Sequence, residues 1–371
     1  MASNFFGEIF RITTFGESHG PGVGVIIDGC PAGVEISIEE VESFLVLRRP
    51  GRTVYTSPRK EEDRVEILSG ILAGRTTGAP IALFIRNSDV VSSPYAAIQG
   101  LCRPGHAQFT YWKKYGVFDE RGGGRASARE TAARVAAGAV AKKLLAMHSI
   151  DCLSFISAVG DIDLPLPELS SLVSLRKKIY EDPLFCPDEK ISAAMRETIA
   201  KVREEQDSIG GIVTGVAHLP VGLGEPVYGK MEARLASAML SLPASKGFEI
   251  GAGFQAARMK GSEHNDAFTA DDSGAISTAT NHAGGTLGGI STGSPLYFRV
   301  AFKPTSSIRK PQQTVTLQGK KALFQLPENA RHDPCVAIRA VPIVEAMTAL
   351  VLADLLLLSQ SSKCPLLLGC T

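Results

Sequence analysis

The sequence predicts an α+β protein built as a single large domain, with two sheets enclosing two apolar helices about a pseudo-two-fold axis. Three observations point there. Hydrophobic repeats of both the strand and the helix period alternate along the chain. Three segments recur, in the same order, in two halves. No low-complexity linker separates those halves.

The elements follow in order. Residues 24–28 form a short apolar strand stopped by Gly29, Cys30 and Pro31. Residues 38–47 have a helical apolar face of Val41, Phe44 and Leu45, with Glu39, Glu40 and Glu42 outside it. Residues 65–72 and 80–86 read as strands on either side of a hairpin signal at 74–78. Residues 129–147 are an Ala-rich helix. Residues 173–205 are an inserted helical excursion, whose second part repeats Ile191, Met195, Ile199 and Val202 on one face. A strand at 212–219 and a helix at 231–242 follow. The most apolar stretch, 341–358, contains Glu345 and Asp354, which argues for a buried helix rather than a membrane span.

The recurrence joins 30–33 (CPAG) to 219–222 (LPVG), and 69–80 (SGILAGRTTGAP) to 284–295 (GGTLGGISTGSP). It also joins the helix after Arg134 to the one after Arg339. It predicts a duplicated unit at about 24–147 and 212–357.

Composition narrows the function. The 371 residues carry 39 Lys and Arg against 38 Asp and Glu, and a net charge of +1 excludes a basic nucleic-acid coat. The 44% hydrophobic content excludes a disordered chain. Seven cysteines, an odd number with no C-x-x-C pair, predict reduced thiols without disulfides or a metal site. The first twenty residues lack a basic region followed by an apolar run, so a cytoplasmic protein without a secretory signal is expected.

Six polar turns carry the chemistry. Residues 16–20 (GESHG) bend between glycines and expose Glu17, Ser18 and His19. Residues 48–52 (RRPGR) begin a run of cations, whose planar guanidinium forks suit phosphate or carboxylate. Residues 103–107 (RPGHA) set His106 on a Pro-Gly turn beside Arg103. In 121–130 (RGGGRASARE), three glycines feed a helix start at which Ser127 and Glu130 have capping-box spacing. The free amides there, with Arg125 and Arg129, predict an anion site. Residues 303–309 (KPTSSIR) place Lys303 and three hydroxyls at a strand end. In 331–335 (RHDPC), Asp333 before Pro334 reads as a helix N-cap or as a group facing a site. Together these turns predict one large polar pocket for phosphate, further anionic groups and proton transfer at His.

The same motifs resemble the chorismate synthase family along essentially the whole chain. The match runs through GESHG, RRPG, RPGHA, RGGGRASARETAARVAAGA, SIGGIVTGV, PVGLGEP, NHAGGTLGGIS, KPTSSI and RHDPCVAIRAVPIVEAM, in order. The resemblance implies a β-α-β sandwich and a homotetramer. It implies the 1,4-anti-elimination of phosphate from 5-enolpyruvylshikimate 3-phosphate, with reduced FMN required. NADPH is implied as an indirect reductant, used by the chain itself or by an external flavin reductase. His106 would protonate the reduced flavin, His19 the departing phosphate, and Asp333 would assist removal of the C6 proton. FMN would be held by Arg125, Ala126, Ser127, Ala244, Gly288, Lys303, Pro304, Thr305, Ser306, Ser307 and Arg331. Substrate or nicotinamide contacts would fall to Ser18, Arg48, Arg49, Arg103 and Arg129. The chain departs from the family pattern at Gln108, where Asp is frequent, and at Val54, where Arg is frequent and this chain instead has Arg52. No partner nucleic acid or membrane is implied.

Overall fold

The computed structural model describes residues 4–90, 98–169, 171–327 and 331–361. Its core is three layers. The first sheet contains β1 (Phe5–Phe6), β2 (Arg11–Gly16), β3 (Gly22–Asp28), β4 (Val65–Ser69) and β5 (Ile81–Arg86), all antiparallel, in the order β1-β2-β3-β5-β4. The second contains β6 (Asp151–Val159), β7 (Ile162–Asp163), β8 (Gly211–His218), β9 (Ser245–Ile250) and β10 (Leu296–Phe302), in the order β9-β10-β8-β6-β7. Helices α1 (Ile38–Arg48), α2 (Gln108–Tyr115), α3 (Thr131–Ala146), α4 (Leu172–Glu181), α5 (Glu189–Glu204), α6 (Met231–Leu240) and α7 (Ala337–Ser361) complete the regular elements used below.

The two sheets repeat one connectivity. The first half runs β2, β3, α1, β4, β5, α3; the second runs β6, β8, α6, β9, β10, α7. Both halves also share the lateral order: β2-β3-β5-β4 in one and β6-β8-β10-β9 in the other. This shared connectivity runs over 11–146 and 151–361. The pair α4 and α5 stands outside it, inserted between β6 and β8.

Helices α3 and α7 form the middle layer. In α3, Ala132, Ala133, Val135, Ala136, Ala137, Ala139, Val140 and Ala141 are all buried, so the helix packs most of its circumference, as a central element must. Small residues let α7 approach closely. A Cβ placed on Gly138 would sit 2.5 Å from the Ala346 Cβ and 2.7 Å from its Cα. Helix α7 is long and apolar enough to cross a membrane, but 94% of its most apolar window is buried within the fold. Its two acids are satisfied there. Glu345 accepts from Lys142 Nζ, from Tyr180 Oη at 2.7 Å and from the Ser154 amide at 3.2 Å. Asp354 accepts the Ile9 and Phe10 amides at 2.8 and 3.0 Å and Arg234 at 3.1 Å. Buried charge without such partners would destabilise the layer by several kcal/mol, on the order of 3–5.

Two local expectations are corrected. The α-helix starts at Thr131 rather than Ser127, after two 3₁₀ turns at Gly124–Ala126 and Ala128–Glu130. Ser127 Oγ accepts the Arg129 amide at 3.4 Å, while the Glu130 carboxylate turns to Arg134 at 3.0 Å, so the reciprocal capping box does not form. Asp333 is not the cap of α7 either, because its carboxylate accepts from Ser57 N–H and from Arg339, both at 2.8 Å.

Candidate active site

All six polar turns reach one cleft of about 1710 Å³. Pockets for single small ligands are usually ~300–1,000 Å³, so this cleft has room for a cofactor and a substrate together. Residues at the N-terminal ends of both α3 and α7 line it, and those helix ends favour anions. Twelve Lys and Arg side chains line it against five Asp and Glu, a local positive excess in a chain that is nearly neutral overall.

Strand β2 ends at Gly16, whose φ of +86° starts the turn carrying Glu17, Ser18 and His19. Ser18 is buried, with its Oγ 3.0 Å from His19 Nδ1. The triple glycine explains how the two histidines share the cleft. A Cβ on Gly122 (φ +121°) would meet His19 Cε1 at 2.1 Å; one on Gly123 (φ +93°) would meet His106 Cε1 at 3.4 Å. The imidazoles thus lie against bare backbone. The loop's amides are less free than the sequence suggested: the Gly123, Ala126 and Ser127 N–H groups donate to Asp119, Gly123 and Gly124 carbonyls.

His106 Nδ1 accepts the Gln108 amide at 3.2 Å, which puts the proton of the neutral ring on Nε2. Burial first, then Arg103 and Lys303, push this His down to about 3, so it is neutral at pH 7 without an anion beside it. Lys303 Nζ donates to the Gly105 carbonyl at 2.7 Å and Arg103 donates to Ser307 Oγ at 2.7 Å. Turns 103–107 and 303–307 are therefore one ledge, although about two hundred residues separate them. Ala244 joins it, its carbonyl accepting the Lys303 amide at 2.9 Å from a left-handed conformation of φ +67°.

Beneath lies a paired-charge floor. Arg48 is fully buried and donates to Ala128 O at 2.8 Å, Thr131 Oγ1 at 3.2 Å and Asp63 at 3.5 Å. Burial, reinforced by Arg339, pushes it down to about 9, which still leaves it charged at neutral pH. Arg129 donates to Asp63, to Asn87 Oδ1 at 2.8 Å and to Arg86 O at 3.1 Å. Burial works to raise Asp63, but Arg48 and Arg129 outweigh it and hold the carboxyl below its usual range. Arg331 pairs with Asp89. Arg125 donates to Thr14 Oγ1 at 2.8 Å, Asn4 Oδ1 at 3.2 Å and Gly16 O at 3.3 Å, fastening its loop to β2.

His19, His106, Asp333, Arg48, Arg103, Arg125, Ala126, Ser127, Arg129, Ala244, residues 303–307 and Arg331 all line the cleft. Three expected residues do not. Ser18 is buried against His19, Arg49 follows the last residue of α1 outside the lining, and Gly288 sits on the hairpin turn between Leu287 and Ile290. Sequence reasoning missed Ser57, Arg59, Glu61 and Arg339 as lining residues, and Asp63 as the partner of two arginines. The basic run signalled Arg59; nothing local marked the others, whose roles come from partners far along the chain.

The donor set suits a flavin mononucleotide. Lys303 and Arg125 offer cations for a phosphate, and Thr305 Oγ1 is buried without a hydrogen-bond partner among the described residues.

Comparison with known proteins follows the same lines. The family model described as chorismate synthase matches residues 10–357. A chorismate synthase of Protochlamydia amoebophila is 54% identical over 365 residues, covering 97% of this chain and 99% of that one. One of Porphyromonas gingivalis is 51% identical over 362 residues, covering 97% of each. A crystal structure of chorismate synthase superposes with a TM-score of 0.75 at 34% identity, covering 95% of this chain and 92% of the other. With sequence and fold matched along nearly its whole length, the chain belongs to the chorismate synthase family.

Proposed function

We propose that this enzyme, a lyase of the shikimate pathway, removes phosphate from 5-enolpyruvylshikimate 3-phosphate by 1,4-anti-elimination to give chorismate, with reduced FMN bound beside the substrate. The observation that carries the reading is the convergence of His19, His106 and Asp333 on one cation-rich cleft large enough for both molecules.

Arg125, Ala126, Ser127, Ala244, Lys303 to Ser307 and Arg331, which line the cleft, would hold FMN; Gly288 lies outside that lining. Bound in its reduced form, the cofactor supplies an electron-rich ring that eases loss of phosphate without net redox change. The chain's own groups do the rest. Arg59, Arg103 and Arg331 face the substrate's phosphate and carboxylates, while Arg48 and Arg129 supply field from the floor, their donors committed to Asp63, Thr131, Asn87 and the Ala128 and Arg86 carbonyls. His19, steadied at Nδ1 by Ser18, donates a proton to the departing phosphate. His106 holds its proton at Nε2, and an anion on the ledge of turns 103–107 and 303–307 would oppose the lowering of its proton affinity by burial, Arg103 and Lys303. Asp333, oriented by Ser57 and Arg339, takes the C6 proton.

A homotetramer, as the family resemblance implies, belongs to the same reading. A cytoplasmic location fits the buried, unpaired thiols of Cys30, Cys152, Cys186 and Cys335.

Anaerobic turnover tests the reading. With chemically reduced FMN the chain should release chorismate and phosphate from the substrate; no product would overturn the proposal. A second arm with oxidised FMN and NADPH separates self-reduction from dependence on an outside reductase.

A further inference from the structure

Residues 49–64 connect α1 to β4 and touch two proton-active groups at once. The Ser57 amide donates to Asp333 Oδ1 at 2.8 Å. Arg59 donates to the Ser18 carbonyl at 3.4 Å, directly before His19, and to Glu61 Oε1 at 2.9 Å. The connection has no strand or helix of its own, and its inner hydrogen bonds among Thr53, Tyr55 and Thr56 are local. A segment of that kind needs outside anchors to hold one orientation.

Residues 60–63 are tied to the first half, through Lys60 to Asp89, Glu61 to Ser88 and Asp63 to Arg48 and Arg129, whereas residues 52–54 are anchored by the inserted helices. Arg52 donates to three carbonyls at the C-terminal end of α4: Tyr180 at 3.0 Å, Asp182 at 3.1 Å and Pro183 at 3.3 Å. Its guanidinium lies 4.0 Å from the centre of the Phe185 ring. From α5, Arg203 donates to the Val54 carbonyl at 3.0 Å. The receiving end is itself stiff. Asp182 Oδ1 accepts the Leu184 and Cys186 amides at 2.8 and 3.0 Å, and Oδ2 accepts the Ser192 hydroxyl at 2.6 Å. Converging carbonyls at a helix C-terminus favour a cation, and a planar fork can serve several of them while stacking on a ring.

We propose that Arg52 is a positioning residue for Asp333: by pinning the 49–64 connection to the end of α4, it holds the Ser57 amide that orients the Asp333 carboxylate. The inserted helices thereby act as a buttress for the reaction. This rests on the reading of Asp333 as proton acceptor.

The test compares the full chain with R52A, R52K, D333N and R52A/D333N, loaded with reduced FMN under anaerobic conditions. R52A should lower kcat about tenfold or more while KM stays within about threefold, the pattern of misplacement rather than lost binding. R52K should fall between wild type and R52A, since an ammonium cannot reach three carbonyls and stack. Deuterium uptake over residues 53–60, an activity-independent readout, should rise in R52A. In the D333N background R52A should change kcat by less than about twofold, because the two act through one group. Wild-type kcat in R52A, or a loss that multiplies fully with that of D333N, overturns the proposal. If R52A does not fold, R52K decides: reduced kcat with faster exchange at 53–60 supports it, and wild-type values overturn it. Full activity in D333N would remove the role of Asp333 and this proposal with it. A slow D333N beside a normal R52A would remove only that of Arg52.

Discussion

The two halves of the molecule share an order of strands and helices, and they differ in what their connections hold. In the first half, the β2–β3 turn brings His19, the long α1–β4 connection brings Ser57 and Arg59, and the β5–α3 connection brings Arg103, His106 and the glycine loop. In the second, the α6–β9 turn is only 241–244 and brings Ala244, while the β10–α7 connection brings residues 303–307 and 331–333. In the β6–β8 connection, the counterpart of the His19 turn, no described residue lines the cleft; it contains α4 and α5 instead. Strand order and helix packing tolerate few alternatives, because each must bury its apolar face against the other layer. Connections at one end carry no such constraint, so chemistry accumulates there, and unequally.

The sharpest way to break this division is at the histidines. His106→Ala and His19→Ala should each lower turnover about 10²–10⁴-fold at unchanged melting temperature, read by anaerobic assay and calorimetry on one preparation. The opposite signature belongs to the shared core. Gly138→Val would drive a side chain into the Ala346 backbone and should destabilise by at least about 3 kcal/mol, while turnover per folded molecule stays normal. Lost turnover at full stability would place α3 in the chemistry and end the division.

Asp333→Asn should reduce turnover by about two orders of magnitude. Its amide can offer one oxygen to Ser57 or Arg339 but presents NH2 to the other, so a modest loss of stability should accompany the change. Normal turnover per folded molecule would leave Asp333 a purely structural tie. Arg125→Ala should weaken FMN binding by about 1.5–3 kcal/mol in a fluorescence titration, with little effect on the fold. Unchanged affinity would reduce Arg125 to its bonds with Thr14, Asn4 and Gly16. The smallest effect is expected at Ala244. Gly removes left-handed strain worth about 1 kcal/mol but loosens the unfolded chain by a similar amount, leaving stability within ~0.5 kcal/mol. A larger shift in either direction would show that the Ala methyl itself makes a contact the ledge depends on.

Much of the site could be read from local motifs. Each of the six turns announced itself by glycine or proline beside a charged or proton-active side chain, and all six reach the cleft. The fold was legible for a similar reason: periodicity marks strands and helices, and the repeated segments marked two related halves. Misreadings occurred where a side chain had a choice of partner. Ser127 and Glu130 have the spacing of a capping box, yet Glu130 takes Arg134. Asp333 has the position of a cap, yet it takes Ser57 and Arg339. The three glycines were read as amide donors, whereas their missing side chains are what let His19 and His106 lie against the loop.

Residue types and short spacings set which groups could bind anions and move protons, since backbone conformation and side-chain chemistry act over a few bonds. Which of the cations are spent in the floor and which remain for a ligand was decided by folding alone. Arg48 and Arg129 meet Asp63, and Lys303 meets Gly105, across stretches that no local pattern spans. Those partners are chosen by the packing of distant layers. A charge brought into a buried place must take whichever opposite group the layers bring beside it.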